Sequence, residues 1–353
     1  MMDHSIEVRD GLWSVEQLKT ETILALMERA RTFRAESHQD PSWNQPLKGW
    51  RAALAFFEPS TRTRLSFQAA LLRGGADILD LDVGRSSVQK GEDVEETLAT
   101  LAALGVHLVI VRTRDEDVTS YRRALGTTPL INAGFGRLEH PTQALGDVLT
   151  LSDAWGSLKG KVIGILGDIR HSRVAGSHLR LLPRLGASIV IGGPEDLLER
   201  PHDPIPSHIA RLPVDALVRE VDALIVLRLQ KERLSSELLQ RTETGDLATR
   251  SYLLHYGLNE ARWQQMKPER LILHPGPVWS DVEIARTLLK EPSVLVRKQV
   301  NDGMWMRLAL LTWLKEQWST SHTQHHAFPI EVELSAQSAS QDDAVGMVPS
   351  FFS

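Results

Sequence analysis

No cysteine occurs among the 353 residues. That excludes disulfides, thiolate metal sites and a cysteine nucleophile. No apolar run is long enough to cross a bilayer, and the opening MMDHSIEVRDG lacks the basic and apolar stretches of a secretion signal. Positive charge is not in excess. The formal net charge of −5 gives no electrostatic case for nucleic acid. Two nucleotide-binding patterns are also missing. Gly164-Ile165-Leu166-Gly167, at the end of an apolar run, lacks the G-x-G-x-x-G spacing, and Gly160-Lys161 lacks the phosphate-loop pattern. These absences leave a soluble, cytoplasmic protein as the expectation, with no membrane or nucleic-acid partner. What is present suits a globular chain of two domains, with 42% hydrophobic residues.

The apolar residues come in short runs separated by helical periodicity. The runs are Ala52–Phe57, Ile78–Leu81, Leu108–Val111, Leu130–Ala133, Val162–Leu166, Ile189–Gly192, Ala223–Leu227 and Leu271–Leu273. Runs this short, rich in Val, Ile and Leu, fit strands buried on both faces of a parallel sheet. Strand–helix alternation predicts an α/β fold, as one large sheet or two smaller ones. An amphipathic helix is expected over Val15–Arg34, another over Pro141–Ala154, and a packed one over Gly303–Gln317. The domain boundary is placed near the helix at Pro141. From Ser319 the chain turns polar, and residues 319–353 read as a flexible tail.

The densest chemistry lies in FEPSTRTRLSF, residues 57–67. Ser60, Thr61, Arg62 and Thr63 stand between an apolar strand and an apolar helix that stops at Gly74-Gly75. An ordinary helix cap needs one of these polar residues. A helix start already carries unpaired N–H groups and partial positive charge. Hydroxyls and a guanidinium added there make a socket for a phosphate-sized dianion. Other expected strands also lead into polar groups: Arg112, then His140-Pro141-Thr142-Gln143, then Gly167-Asp168 and Arg173, then Arg228-Leu229-Gln230, then His274-Pro275-Gly276-Pro277. Ligands of open α/β sheets bind beyond these carboxyl ends. Together the groups describe a cationic cleft for a ligand with several negative charges.

The S-T-R-T-R segment resembles the carbamoyl-phosphate signature of the aspartate and ornithine carbamoyltransferases. The likeness spans about residues 10–317 in the family's order. Three features resemble the aspartate branch: RSSVQKGE at 85–92, Arg228-Leu229-Gln230-Lys231-Glu232-Arg233, and His274-Pro275-Gly276-Pro277. The resemblance implies carbamoyl transfer from carbamoyl phosphate to L-aspartate, in pyrimidine synthesis, with no cofactor and no metal. It implies two domains, each a parallel sheet flanked by helices, with the active site in the cleft between them: a carbamoyl-phosphate-binding domain over 1–150 and an aspartate-binding domain over 151–302, with the helix 303–317 packing back on the first. Ser60, Thr61, Arg62 and Thr63 would hold the phosphate. Thr63, Arg112 and His140 would surround the carbamoyl oxygen, and Gln143 its nitrogen. Arg173, Arg228 and Gln230 would bind the aspartate carboxylates, beside Pro275 and Gly276. Ser86 and Lys90 would come from a neighbouring subunit of a homotrimer. Glu58 would pair with Arg173 and Arg233 as the domains close. A regulatory chain or a dihydroorotase is a possible partner in this family. Carbamoyl transfer to another amino acid and an inactive scaffold are the alternatives, and the intact motif residues argue against the latter.

Two departures stand out. Val278 is followed by Trp279 and Ser280 where the family has Asn-Arg. Gly146 lies inside a helix where leucine is common, at an expected cost of roughly 1 kcal/mol relative to alanine.

Overall fold

The computed structural model describes residues 10–39, 43, 45–85, 91–230 and 246–322. Its strands are parallel and short, as βαβ connections require. The first sheet comprises β1 (Gly11–Leu12), β2 (Arg51–Phe56), β3 (Asp77–Asp80), β4 (Leu108–Thr113) and β5 (Leu130–Phe135) in the order β1-β5-β4-β2-β3. The second comprises β6 (Val162–Leu166), β7 (Ser188–Gly192), β8 (Ala210–Arg211), β9 (Ala223–Val226) and β10 (Leu271–Leu273) in the order β10-β9-β6-β7-β8. Every expected apolar run overlaps a strand, with ends that differ by at most two residues. The two edge strands β1 and β8 went unread because two residues carry no period.

Burial explains why these strands are continuously apolar. Along β4, Leu108 and Ile110 enter one core, while Val109 and Val111 enter the core on the opposite face. The strand also runs further than its apolar part. Arg112 pairs with Phe56 of β2, and the β4–β5 register shifts between Val111 and Thr113. A polar residue can therefore occupy the pleat while its backbone stays in the ladder.

Helices cover the sheets: α1 (Thr20–Gln39), α2 (Thr61–Gly74), α3 (Val94–Ala103), α4 (Thr119–Leu125), α5 (Pro141–Trp155), α6 (Arg173–Arg184), α7 (Val214–Glu220), α8 (Asp246–His255), α9 (Glu260–Gln265) and α10 (Val296–His322). The first helix differs from its expected span. Ser14 and Gln17 form a reciprocal capping box on a single 3-10 turn, Val15–Gln17, and the α-helix begins only at Thr20. The last helix is longer than expected and continues to His322, into the segment read as tail. It packs against α1, α2 and α5. Arg31 and Arg34 of α1 bind Asp153 of α5, and Arg34 also reaches Asp302 of α10.

Gly146 has a structural reason. A Cβ there would stand 2.9 Å from the Cα of Gly303, so α5 and α10 cross backbone to backbone. Close approach needs two residues without side chains, and the loss in helix propensity is the cost of that crossing.

Candidate active site

The carboxyl ends of the two sheets face one cleft of about 820 Å³. The expected site residues that are described reach it by local routes. At the end of β2, Pro59 breaks the strand and Ser60 caps α2 in extended conformation, φ −159° and ψ 97°. Its hydroxyl makes no capping bond. The exposed first turn therefore presents Ser60, Thr61 and Arg62, with Thr63 buried beneath. Gly276 comes from the other sheet and has a positive φ of 69°. A Cβ on it would lie 2.8 Å from Arg62 Nε, so this glycine lets the loop close over the guanidinium.

Glu58 gathers cations from both halves. Its Oε2 accepts from Arg173 NH2 at 2.7 Å and stands 3.7 Å from Arg112 Nε. Its Oε1 lies 3.4 Å from Arg114 Nε. Glu58 and Arg173 are both buried, so the pair is shielded from water. Arg173 NH1 also donates to Gly134 O at 2.7 Å, and Arg112 NH1 to Ala133 O at 3.2 Å. Gly134 has φ 123°, and a Cβ there would meet both guanidinium groups within 3.0 Å. Gly134, the penultimate residue of β5, thus leaves room for two arginines side by side.

His140 begins α5, ahead of Pro141 at the first helical position. It is buried, with Nε2 3.3 Å from Thr63 Oγ1. Burial first, and then the charges of Arg112, Arg307 and Arg173, hold its pKa well below the ordinary histidine value. The ring is therefore a neutral hydrogen-bonding group. Its backbone N–H donates to Ser177 Oγ of α6 at 3.0 Å. Ser177 in turn donates to Glu139, a fully buried carboxylate that also accepts from Ser14 Oγ and Val15 N. Burial raises the pKa of Glu139, while Arg180 and these donors oppose the rise.

On the second sheet, Arg228 and Gln230 follow β9 into the cleft. Asp168 is fully buried and accepts from Gln230 N at 3.2 Å and from His171 N at 3.1 Å. Gln230 Nε2 donates to His171 O at 2.9 Å, which steadies the strand end.

Ser60, Thr61, Arg62, Thr63, Arg112, His140, Gln143, Arg173, Arg228, Gln230, Pro275, Gly276 and Glu58 all line this cleft. Ser86, Lys90 and Arg233 lie outside the described residues. Within them, Glu58 takes Arg112 and Arg114 alongside the expected Arg173.

The sequence reading missed several lining residues. Arg114 and Arg137 add cations at the cleft wall, and Ser172, the cap of α6, adds a hydroxyl. Arg114 was findable, two residues beyond Arg112. Arg307 was not, because it sits within an apolar helical stripe. Its side chain borders a small annex of about 20 Å³ shared with Arg62, Thr63 and Gln143. Burial lowers its pKa to about 10. Arg307 NH1 donates to Ser66 Oγ at 3.0 Å, and the guanidinium rests on the Phe67 ring.

Two parallel sheets whose carboxyl ends share an arginine-rich cleft define an α/β protein built to bind multiply charged anions. Comparison with known proteins narrows the class. Residues 11–153 match the carbamoyl-P binding domain of aspartate/ornithine carbamoyltransferases, and residues 159–314 match the Asp/Orn binding domain. The aspartate carbamoyltransferase catalytic subunit of Thermus aquaticus is 41% identical over 287 residues, covering 81% of this chain and 92% of that protein. The Streptococcus mutans catalytic subunit is 35% identical over 304 residues, covering 85% and 94%. The crystal structure of Trypanosoma cruzi aspartate transcarbamoylase with carbamoyl aspartate and phosphate has a TM-score of 0.74 and 29% identity, covering 88% of this chain and 99% of that one. The same enzyme with carbamoyl phosphate and aspartate gives 0.72 and 29%, covering 85% and 95%. This chain belongs to the aspartate/ornithine carbamoyltransferase family.

Proposed function

We propose that this protein transfers the carbamoyl group of carbamoyl phosphate to the amine of L-aspartate, giving N-carbamoyl-L-aspartate and phosphate. One observation carries the reading: Arg62, Arg112, Arg173 and Arg228 converge with His140 and Gln143 on a single cleft. The relatives named above, all aspartate carbamoyltransferases, support the same acceptor.

In this reading Ser60, Thr61, Arg62 and Thr63 hold the phosphate at the start of α2. Thr63, Arg112 and His140 surround the carbamoyl oxygen, and Gln143 meets the carbamoyl nitrogen. Arg173, Arg228 and Gln230 hold the acceptor, with Pro275 and Gly276 beside it. The aspartate amine attacks the carbamoyl carbon and a C–N bond forms. Negative charge builds on the carbamoyl oxygen, where Arg112 supplies charge and neutral His140 supplies a hydrogen-bonding group. The C–O bond to phosphate then breaks, phosphate leaves with the bonding pair, and the nitrogen gives up a proton. Planar guanidinium groups suit both carboxylate and phosphate oxygens. Much of the acceleration comes from holding two anions together away from water.

The reading extends to residues 1–150 as the carbamoyl-phosphate-binding domain and 151–302 as the aspartate-binding domain. It also includes a cytoplasmic homotrimer acting in pyrimidine synthesis, with Ser86 and Lys90 lent to the neighbouring site.

Carbamoyl-phosphate consumption by purified protein, with L-aspartate and L-ornithine offered separately, tests the acceptor. Turnover with aspartate alone is expected. Arg228→Ala should raise the KM for aspartate at least tenfold, since a charge-assisted hydrogen bond contributes roughly 1.5–3 kcal/mol. Turnover with ornithine but not aspartate would overturn the assignment.

A further inference from the structure

Asp147 lies outside the cleft, fully buried on α5 and four residues after Gln143. Three side chains converge on its carboxylate. Gln143 Nε2 and Gln299 Nε2 each stand 2.8 Å from Oδ1, and His178 Nε2 stands 2.9 Å from Oδ2. The orientation of Gln299 is set independently. Its Oε1 accepts the backbone N–H of His274 at 2.8 Å, and a backbone nitrogen can only donate. The NH2 end of Gln299 therefore faces Asp147. A carboxylate can only accept, so Gln143 must turn its NH2 end to Asp147 as well. Fixing one end of an amide fixes the other. Gln143 lines the cleft, and with Nε2 held against Asp147 its Oε1 is the acceptor it can offer a ligand there.

We propose that Asp147 is a specificity-determining positioning residue. By orienting the amide of Gln143, it makes this corner of the cleft require an N–H donor, and so selects a carbamoyl group over an acetyl group of the same shape. The proposal rests on the carbamoyl-transfer reading and deepens it. Carbamoyl phosphate and acetyl phosphate differ at this corner by NH2 against CH3. A methyl group would leave Oε1 desolvated and unpaired, and sites built around such a bond reject the analogue that lacks it. An amide free to flip would set a donor against the carbamoyl NH2, and the preference would fade. The arrangement also needs both sheets in place, because Gln299 is anchored by His274 at the end of β10 and His178 comes from α6.

The test compares dissociation constants for carbamoyl phosphate, acetyl phosphate and inorganic phosphate in wild type and Asp147→Asn. The asparagine keeps the shape but has an NH2 of its own to offer. The acetyl-to-carbamoyl ratio is expected to fall roughly tenfold, the effect of one hydrogen bond, while phosphate binding stays unchanged. A general loosening of α5 would weaken all three ligands in parallel and leave the ratio as it was, and that result overturns the proposal. Should Asp147→Asn not fold, Gln143→Met with Asp147 intact must lower the same ratio, and an unchanged ratio there overturns it too. The two readings fail differently. An unchanged ratio in a variant of an active transferase removes the role of Asp147 alone. A wild-type protein that binds phosphate yet transfers no carbamoyl group to any amine removes the functional reading.

Discussion

At the residue scale, His140 shows how the cleft chooses a protonation state. The pKa of the folded ring lies below its unfolded value of about 6.5, chiefly through burial and then through three arginines. Between the two values the unfolded chain binds more protons, so this group's contribution to stability is full above about 6.5 and declines as the pH falls. Glu139 has the opposite sign. Its raised pKa makes the folded state hold a proton more readily, so its contribution falls as pH rises from the ordinary carboxylate range. Thermal unfolding of wild type and His140→Gln between pH 5 and 7.5 isolates the histidine, because both proteins carry Glu139. Wild type should lose stability relative to the variant on acidification, and parallel pH curves would contradict the buried neutral ring. The position of His140 was legible from His140-Pro141-Thr142-Gln143. Its environment was not, since Arg112, Arg173 and Arg307 come from three other elements.

At the scale of the element, helix starts and crossings do most of the work. The N-terminus of α2 was readable because Pro59, the hydroxyls and Gly74-Gly75 mark both ends of one helix. Gly75 closes it in left-handed conformation, φ 77°. The crossing of α5 and α10 was not readable, because Gly146 and Gly303 lie far apart in the chain. It reverses the ordinary effect of a glycine-to-alanine change. Alanine at 146 gains roughly 1 kcal/mol in helix propensity. It also drives a Cβ to 2.9 Å from a backbone atom, where overpacking costs about 1–3 kcal/mol. Gly146→Ala should lower the denaturant midpoint. A raised midpoint would mean that α10 can shift away from α5 without loss.

At the scale of the whole molecule, the proposed trimer makes a prediction that one chain alone cannot satisfy. Gly84 and Gly91 flank the segment that holds Ser86 and Lys90. If that segment completes the neighbour's cleft, the interfaces are heterologous and three chains close the ring. Lys90→Ala and Arg112→Ala proteins should each be nearly inactive. Unfolding them together and reassembling the mixture should restore some activity, because certain sites then combine an intact Lys90 donor with an intact Arg112 host. Confirmed mixed trimers without recovered activity would place Lys90 within its own subunit or outside the reaction.

The sequence by itself determined the α/β class, the apolar strands and most of the cleft's lining. Each of those signals is local: a buried run has a length and a period, and an anion socket has its polar residues side by side at a strand end. Tertiary structure alone decided the strand order within each sheet, because that order depends on which crossovers pack and not on any single strand. It also decided the partners of Glu58, the crossing at Gly146 and the carboxylate behind Gln143. Those contacts join residues distant in the chain, and their energies arise from burial, which no local pattern encodes.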